Sequence, residues 1–147
     1  MEESFRTDYF LVIVDMAISQ LKSRFEQLQF FQSMFGFLFD AATLVSLDDD
    51  ELRRSCINLE NALKVDDVSD VNGKCLCSEL QVLQLMLASE SYETNEPWTP
   101  IKIMEFAKDM DMFPHVMLAY KLLLNLLVTV ASAKRGFSKL KLLKSYL

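Results

Sequence analysis

The chain has 147 residues, 51% of them hydrophobic, and a net charge of −6 at neutral pH. Its length and apolar content suit one domain with a sizeable core, and three Gly and three Pro are too few for long disordered linkers or a glycine-rich β-sandwich. We therefore expect a mainly α fold: an irregular helical domain of about six helices, with at most one short strand.

The first predicted element is a helix from about Ser4 to Gln32. Apolar residues recur along it at spacings of four and three, at Val14, Ile18, Leu21, Phe25 and Leu28. This stripe matches a coiled-coil seam for barely two heptads, so we expect it to pack within its own domain rather than on a partner chain.

Five phenylalanines follow within ten residues, at positions 30, 31, 35, 37 and 39. One interpretation is a core cluster, because each aromatic side chain can bury a large area. The other is an exposed surface that would face another domain in a longer protein.

The next predicted helix runs to about Leu63, with Ser46 as its N-cap and acidic residues in its first turn. The run from Asp48 to Glu51 also suggests a metal site, but consecutive residues on a helix point in different directions, which favours capping. A polar loop from Asp66 to Lys74 is expected to end in the turn pair Asn72-Gly73.

Three further helices are predicted in the second half of the chain. Their expected ranges are Ser78–Ala88, Ile101–Met110 with Thr99 as cap and Pro100 at the first position, and Pro114 to about Leu124. Trp98 is expected to anchor the preceding polar segment to the core.

The apolar stretch from Val116 to Ala133 contains Lys121 and Asn125 and barely reaches the length of a membrane span, so we expect a buried helix running into a strand. The β-branched run Val128-Thr129-Val130 predicts that strand, although without sheet partners it could instead continue the helix. Ser132 is the expected cap of a separate final helix.

The charge distribution is uneven. Five cations and no acid occur in the last fourteen residues, whereas residues 1–133 hold 10 cations and 21 acids, a net charge of −11. An acidic body disfavours broad DNA wrapping. The basic segment is either a solvated helix face or a nucleic-acid contact through Lys134, Arg135, Lys139, Lys141 and Lys144.

The cysteines are Cys56, Cys75 and Cys77, an odd number without a secretory leader. Reduced thiols in a nuclear or cytoplasmic, not secreted, protein are therefore expected. Zinc would need four ligands and the only histidine, His115, is far along the chain, so we predict no metal and no cofactor.

The C-terminal segment Thr129–Leu147 resembles the end of hAT-type transposases and of the plant zinc-finger MYM-type and TTF-type proteins related to them. Further segments resemble the same family in the same order. They are Glu3–Arg6, Tyr9–Leu11, Arg24–Gln27, Phe35–Phe39, Leu47–Asp50, Asn58–Glu60, Ser78–Leu83, Phe113-Pro114 and Ala119-Tyr120.

The resemblance implies two regions. Residues 1–95 resemble the end of the transposase helical insertion, and residues 96–147 resemble a truncated hAT C-terminal dimerisation region. The dimerisation motif would comprise Ala131, Ser132, Ala133, Arg135, Phe137, Ser138, Leu140 and Leu143.

Lys134 occupies the position where the family carries the glutamate of its Asp-Asp-Glu metal-binding set. An ammonium group cannot bind a divalent cation, and the region of the two aspartates is absent from this sequence, so we expect no catalytic residue and no enzyme activity.

The resulting hypothesis is a catalytically inactive transposase-derived fragment that associates with protein partners, either itself or related transposase-like chains, and not with a membrane. Two alternatives stay open: a nucleic-acid-binding accessory module that uses the basic C-terminal helix, and part of a DNA transposase acting in trans.

Overall fold

A computed structural model describes residues 2–90 and 97–144, with side chains described for residues 7–90 and 97–129. Over these residues the chain is mainly helical, with six α-helices and no strand, which confirms the predicted fold class. The helices are α1 (Glu2–Phe35), α2 (Ala41–Ser46), α3 (Asp49–Ala62), α4 (Gly73–Glu90), α5 (Pro100–Met110) and α6 (Pro114–Lys144), and a 3-10 turn at Gly36–Leu38 follows α1.

Internal contacts divide the chain into two compact units, Met1–Ser33 and Met34–Leu147. The first unit consists of most of α1. The second contains the remaining five helices. The boundary predicted between residues 95 and 96 falls within residues 91–96, which lie outside the described residues, and it stays a prediction.

The core of the second unit is organised around α4. Leu76, Leu80, Leu83 and Leu87 recur at spacings of four and three and are all fully buried. Helix α4 packs against α2, α3 and α6, and α5 packs against α6. The buried leucine stripe therefore belongs to the helix that contacts α2, α3 and α6.

Two short-range caps fix the start of α2 and α3. The Asp40 carboxylate accepts hydrogen bonds from the Thr43 backbone N–H at 2.7 Å and from its hydroxyl at 2.9 Å. Asp48 accepts from the Glu51 backbone N–H at 2.7 Å, and the Glu51 carboxylate accepts from the Asp48 N–H at 3.4 Å. The interpretation of the acidic run as a capping sequence is therefore confirmed.

The predicted cap residue of α3 was wrong. Ser46 is the last residue of α2, and its hydroxyl donates to the Thr43 carbonyl at 2.8 Å. Asp48 caps α3 instead, because its carboxylate and Glu51 form the reciprocal capping box.

Helix α4 begins five residues earlier than predicted. The Asn72 side-chain oxygen accepts from the backbone N–H groups of Lys74 and Cys75, both at 3.1 Å, and so caps the helix. Gly73 is buried, and a Cβ there would lie 2.9 Å from the Cys56 carbonyl oxygen. The Asn-Gly pair thus starts a helix that approaches the α3 backbone closely, and does not form the predicted loop turn.

The predicted start of α5 is confirmed. Thr99 is the N-cap and Pro100 the first helical residue. The ring of Trp98 makes an edge contact with Phe106 at 5.4 Å between ring centroids, and the Lys102 ammonium lies 5.6 Å from the Trp98 centroid. Most of the polar segment that Trp98 is predicted to anchor lies outside the described residues, so this anchoring stays a prediction.

Helix α6 is longer than predicted. It starts at Pro114 as expected but continues to Lys144 without a break, so Val128–Val130 are helical and the expected strand does not form. Ser132 lies inside the helix, and its prediction as a cap was wrong. No Pro or Gly occurs between Pro114 and Gly136 to end the helix, and an isolated strand would leave its backbone groups unpaired.

Most of the phenylalanine cluster belongs to the core, because Phe31, Phe35 and Phe37 are buried. Phe39 is half-buried and Phe30 is exposed. The core interpretation therefore holds for three of the five residues.

We predict that Asp48→Ala lowers the free energy of unfolding by about 1 kcal/mol, because the Glu51 N–H loses its acceptor. Asp48→Asn is the matched control, since its side-chain oxygen can still accept this bond. Urea unfolding curves should show a lower midpoint for the alanine variant alone. Equal midpoints for the two variants would contradict the cap.

Candidate functional site

The most conspicuous surface feature is the row of exposed apolar side chains on α1. Large hydrophobic residues of this helix are about half exposed or more at ten positions along the described residues: Tyr9, Phe10, Leu11, Val12, Ile13, Met16, Ile18, Leu21, Phe25 and Phe30, with Leu28 at 41%. A run of this size is unusual on a soluble surface.

This exposure corrects the prediction that the apolar stripe of the first helix packs within its own domain. Ile18, Leu21 and Phe25 are 56%, 51% and 60% exposed, and Val14 is half-buried. The spacing of the stripe correctly predicted the helix and its apolar face. It could not show whether that face would be exposed.

The stripe is also longer than the sequence pattern first suggested. Leu11 precedes Val14 by three residues and is 52% exposed, so six residues from Leu11 to Leu28 follow alternating spacings of three and four. We call these six residues the α1 seam: Leu11, Val14, Ile18, Leu21, Phe25 and Leu28. Its spacing is that of the a and d positions of a coiled coil.

The amino-terminal half of α1 is apolar around most of its circumference. Residues Tyr9–Val14 are six apolar residues in succession, and Ile13 and Met16 are exposed on faces away from the seam. Helices that are hydrophobic on all sides are normally buried. The unbroken run in the sequence was the signal that could have identified this surface.

Charged residues flank the α1 seam on one side. Asp8, Asp15 and Lys22 are spaced seven residues apart, and all three are exposed. Asp15 and Lys22 directly follow Val14 and Leu21, which are d positions of the heptad when Leu11 is an a position. Within the described part of the chain, neither Asp15 nor Lys22 has an ion-pair partner.

The residues predicted for dimerisation and nucleic-acid contact all fall on the last part of α6. The backbone from Ala131 to Lys144 is helical, and this range includes Ser132, Ala133, Lys134, Arg135, Phe137, Ser138, Lys139, Leu140, Lys141 and Leu143. Their side chains lie outside the described residues. The predicted roles of these residues stay predictions.

The only histidine has a structural partner. His115 Nδ1 lies 2.8 Å from one carboxylate oxygen of Glu79, and the other oxygen of Glu79 accepts from the Val116 backbone N–H at 2.9 Å. Glu79 therefore joins α4 to the first turn of α6, where a carboxylate also complements the positive end of the helix dipole.

The cysteines do not form a common site. Cys56 and Cys77 are buried and interact with each other between α3 and α4, whereas Cys75 is exposed. Burial, with a smaller contribution from Cys77, raises the pKa of the Cys56 thiol to about 12. Among the described residues, no three His, Cys, Asp or Glu side chains are grouped so that they could hold a metal ion.

Comparisons with protein-family models, with curated proteins and with solved structures found no match to this chain. No helix in the described ranges combines the length and the apolar character needed to cross a membrane.

We predict a loss of stability at alkaline pH that depends on Cys56. The folded protein holds this thiol protonated up to about pH 12, whereas the unfolded chain releases the proton near the ordinary thiol pKa of 9.0. The unfolding free energy should therefore fall as the pH rises between these values.

Urea unfolding at a series of alkaline pH values measures this slope. Cys56→Ala should flatten the slope, whereas Cys75→Ala, which changes an exposed thiol, should keep the wild-type slope. If Cys56→Ala leaves the slope unchanged, the loss of stability at alkaline pH does not come from the Cys56 thiol.

Proposed function

We propose that this chain is a catalytically inactive fragment of hAT transposase type that acts by associating with protein partners, either copies of itself or related chains. The observation that carries the proposal of association is the row of exposed apolar side chains on α1. A nuclear or cytoplasmic setting, free of metal and other cofactors, belongs to the same proposal.

The physical reason is the cost of leaving this surface in water. Burying a large aliphatic or aromatic side chain contributes about 1.5–3 kcal/mol, and the α1 seam alone provides six such residues. Association costs translational and rotational entropy, so the burial of several of these side chains together is needed to hold two proteins together.

The absence of catalysis is proposed from one substitution in the resembled motif. Lys134 occupies the position of the family's third metal-binding carboxylate, and a lysine ammonium repels divalent cations. The activity that we propose is therefore association through a surface and not catalysis.

Association through α1 predicts a concentration-dependent mass for the full chain. In size-exclusion chromatography with light scattering, the wild-type protein should shift from one chain mass toward twice that mass as the concentration rises. A strict monomer at high micromolar concentration would contradict the proposal.

A matched pair of variants assigns the association to α1. Leu21 on α1 and Leu85 on α4 are both exposed leucines, at 51% and 75%. Leu21→Asp should remove the dimer at concentrations where the wild type forms it, and Leu85→Asp should not. Equal behaviour of the two variants would place the association outside α1.

A second candidate function is nucleic-acid binding by the end of α6. The last fourteen residues contain five cations and no acid, which favours this function. The backbone of this segment is helical as far as Lys144. Lysine and arginine on such a segment can neutralise backbone phosphates.

This candidate predicts weak binding to duplex or single-stranded DNA that falls steeply with salt. Fluorescence anisotropy at increasing salt concentration should give a slope that decreases when Lys139, Lys141 and Lys144 are replaced by Gln. No detectable binding at low salt would rule it out.

A further inference from the structure

We infer that the partner covering α1 is a second copy of this chain, and that the two α1 helices pair antiparallel along the α1 seam, with Asp15 of each copy facing Lys22 of the other. This inference rests on the proposed function, since it names the partner and the geometry of that same surface. The spacing, the side-chain sizes and the flanking charges of α1 each support it.

The length of the seam limits the contact. From Leu11 to Leu28 the seam extends over about 25 Å of helix at 1.5 Å per residue. Thr7 and Gln32 occupy the next positions of the pattern on either side and are polar. The contact is therefore a short helix pair centred between Ser19 and Gln20.

The side-chain sizes favour the antiparallel orientation. Centred in this way, the helices place Leu11 opposite Leu28, Val14 opposite Phe25 and Ile18 opposite Leu21 of the other copy. Each layer then combines side chains of similar total volume. A parallel pair in register would place Phe25 against itself and Val14 against itself, so that one layer is overfilled and another has a gap.

The flanking charges favour the same orientation. In an antiparallel pair, the positions that follow each d residue face each other across the seam, which brings Asp15 of one copy to Lys22 of the other twice by symmetry. In the parallel alternative the flanking pairs would be Phe10 with Asp15, Ala17 with Lys22 and Arg24 with Gln29, none of them oppositely charged.

The two charges are available for this contact. Asp15 and Lys22 are both exposed, and neither has an ion-pair partner within the described residues. They are about 10 Å apart along their own helix, which is too far for them to pair with each other. An antiparallel partner supplies each of them with an opposite charge.

A charge-exchange series on the full chain tests the orientation. Asp15→Lys and Lys22→Asp should each weaken dimerisation about tenfold, because two attractive contacts become repulsive. The double variant Asp15→Lys with Lys22→Asp should restore wild-type affinity. Sedimentation equilibrium measures the dissociation constants.

The face of the helix is tested by two isoleucines of similar exposure, Ile18 at 56% and Ile13 at 48%. Ile18 lies in the α1 seam, and Ile13 lies about 140° away around the helix. Ile18→Asp should weaken the dimer by more than tenfold, and Ile13→Asp should have little effect. An equal effect of both substitutions would overturn the seam.

Distances between spin labels give an independent measure of orientation. Single cysteines replace Ser19 or Gln29 in a Cys75→Ser variant, where the remaining Cys56 and Cys77 are buried. An antiparallel pair separates the two labels along the axis by about 2 Å at position 19 and about 28 Å at position 29. A parallel pair gives the same short separation at both positions.

The outcomes separate this inference from the proposed function. Both the inference and the proposed function are supported if the double variant restores the affinity of the dimer and the label distances differ between positions 19 and 29. A dimer that ignores the charge changes, or that gives equal label distances, overturns the antiparallel seam while association stands. A monomer at every concentration overturns both.

Discussion

The second unit of this protein depends on the burial of one stripe of leucines on α4. Leu76, Leu80, Leu83 and Leu87 are fully buried, and α4 packs on α2, α3 and α6. Polar contacts then fix the register of these helices: Glu79 holds the first turn of α6, and the Gln84 amide donates to the carbonyl oxygens of Leu44 and Leu47 at 2.6 and 3.2 Å. Hydrophobic burial supplies the stabilisation, and the directional bonds specify which helix ends meet.

Close backbone approach is the second requirement of that core. Gly73 begins α4 where a side chain would collide with the Cys56 carbonyl and with Glu60, whose carboxylate accepts from the Gly73 N–H at 3.0 Å. The buried thiols of Cys56 and Cys77 lie at the same α3–α4 interface. These cysteines therefore act as small apolar side chains in a tight helix contact.

Helix α1 differs from α4, because most of its large apolar residues are exposed whereas the leucine stripe of α4 is buried. The two helices have similar spacings of leucine and other aliphatic residues, so this spacing does not account for the difference. An exposed apolar helix is stable in water only with a partner or with a large cost in free energy. This contrast between two similar helices supports association through α1, with a second copy of the chain as the proposed partner.

The sequence by itself determined the helical class, the caps at Thr99 and in the run Asp48–Glu51, the start of α6 at Pro114 and the apolar face of α1, because these depend on residues within one or two turns of each other. Only the tertiary structure decided that Val128–Val130 stay helical, that Gly73 lies against the α3 backbone, and that the α1 stripe is exposed. Each of these depends on contacts between residues distant in the sequence, or on their absence among the described residues. Local spacing carries no information about such contacts.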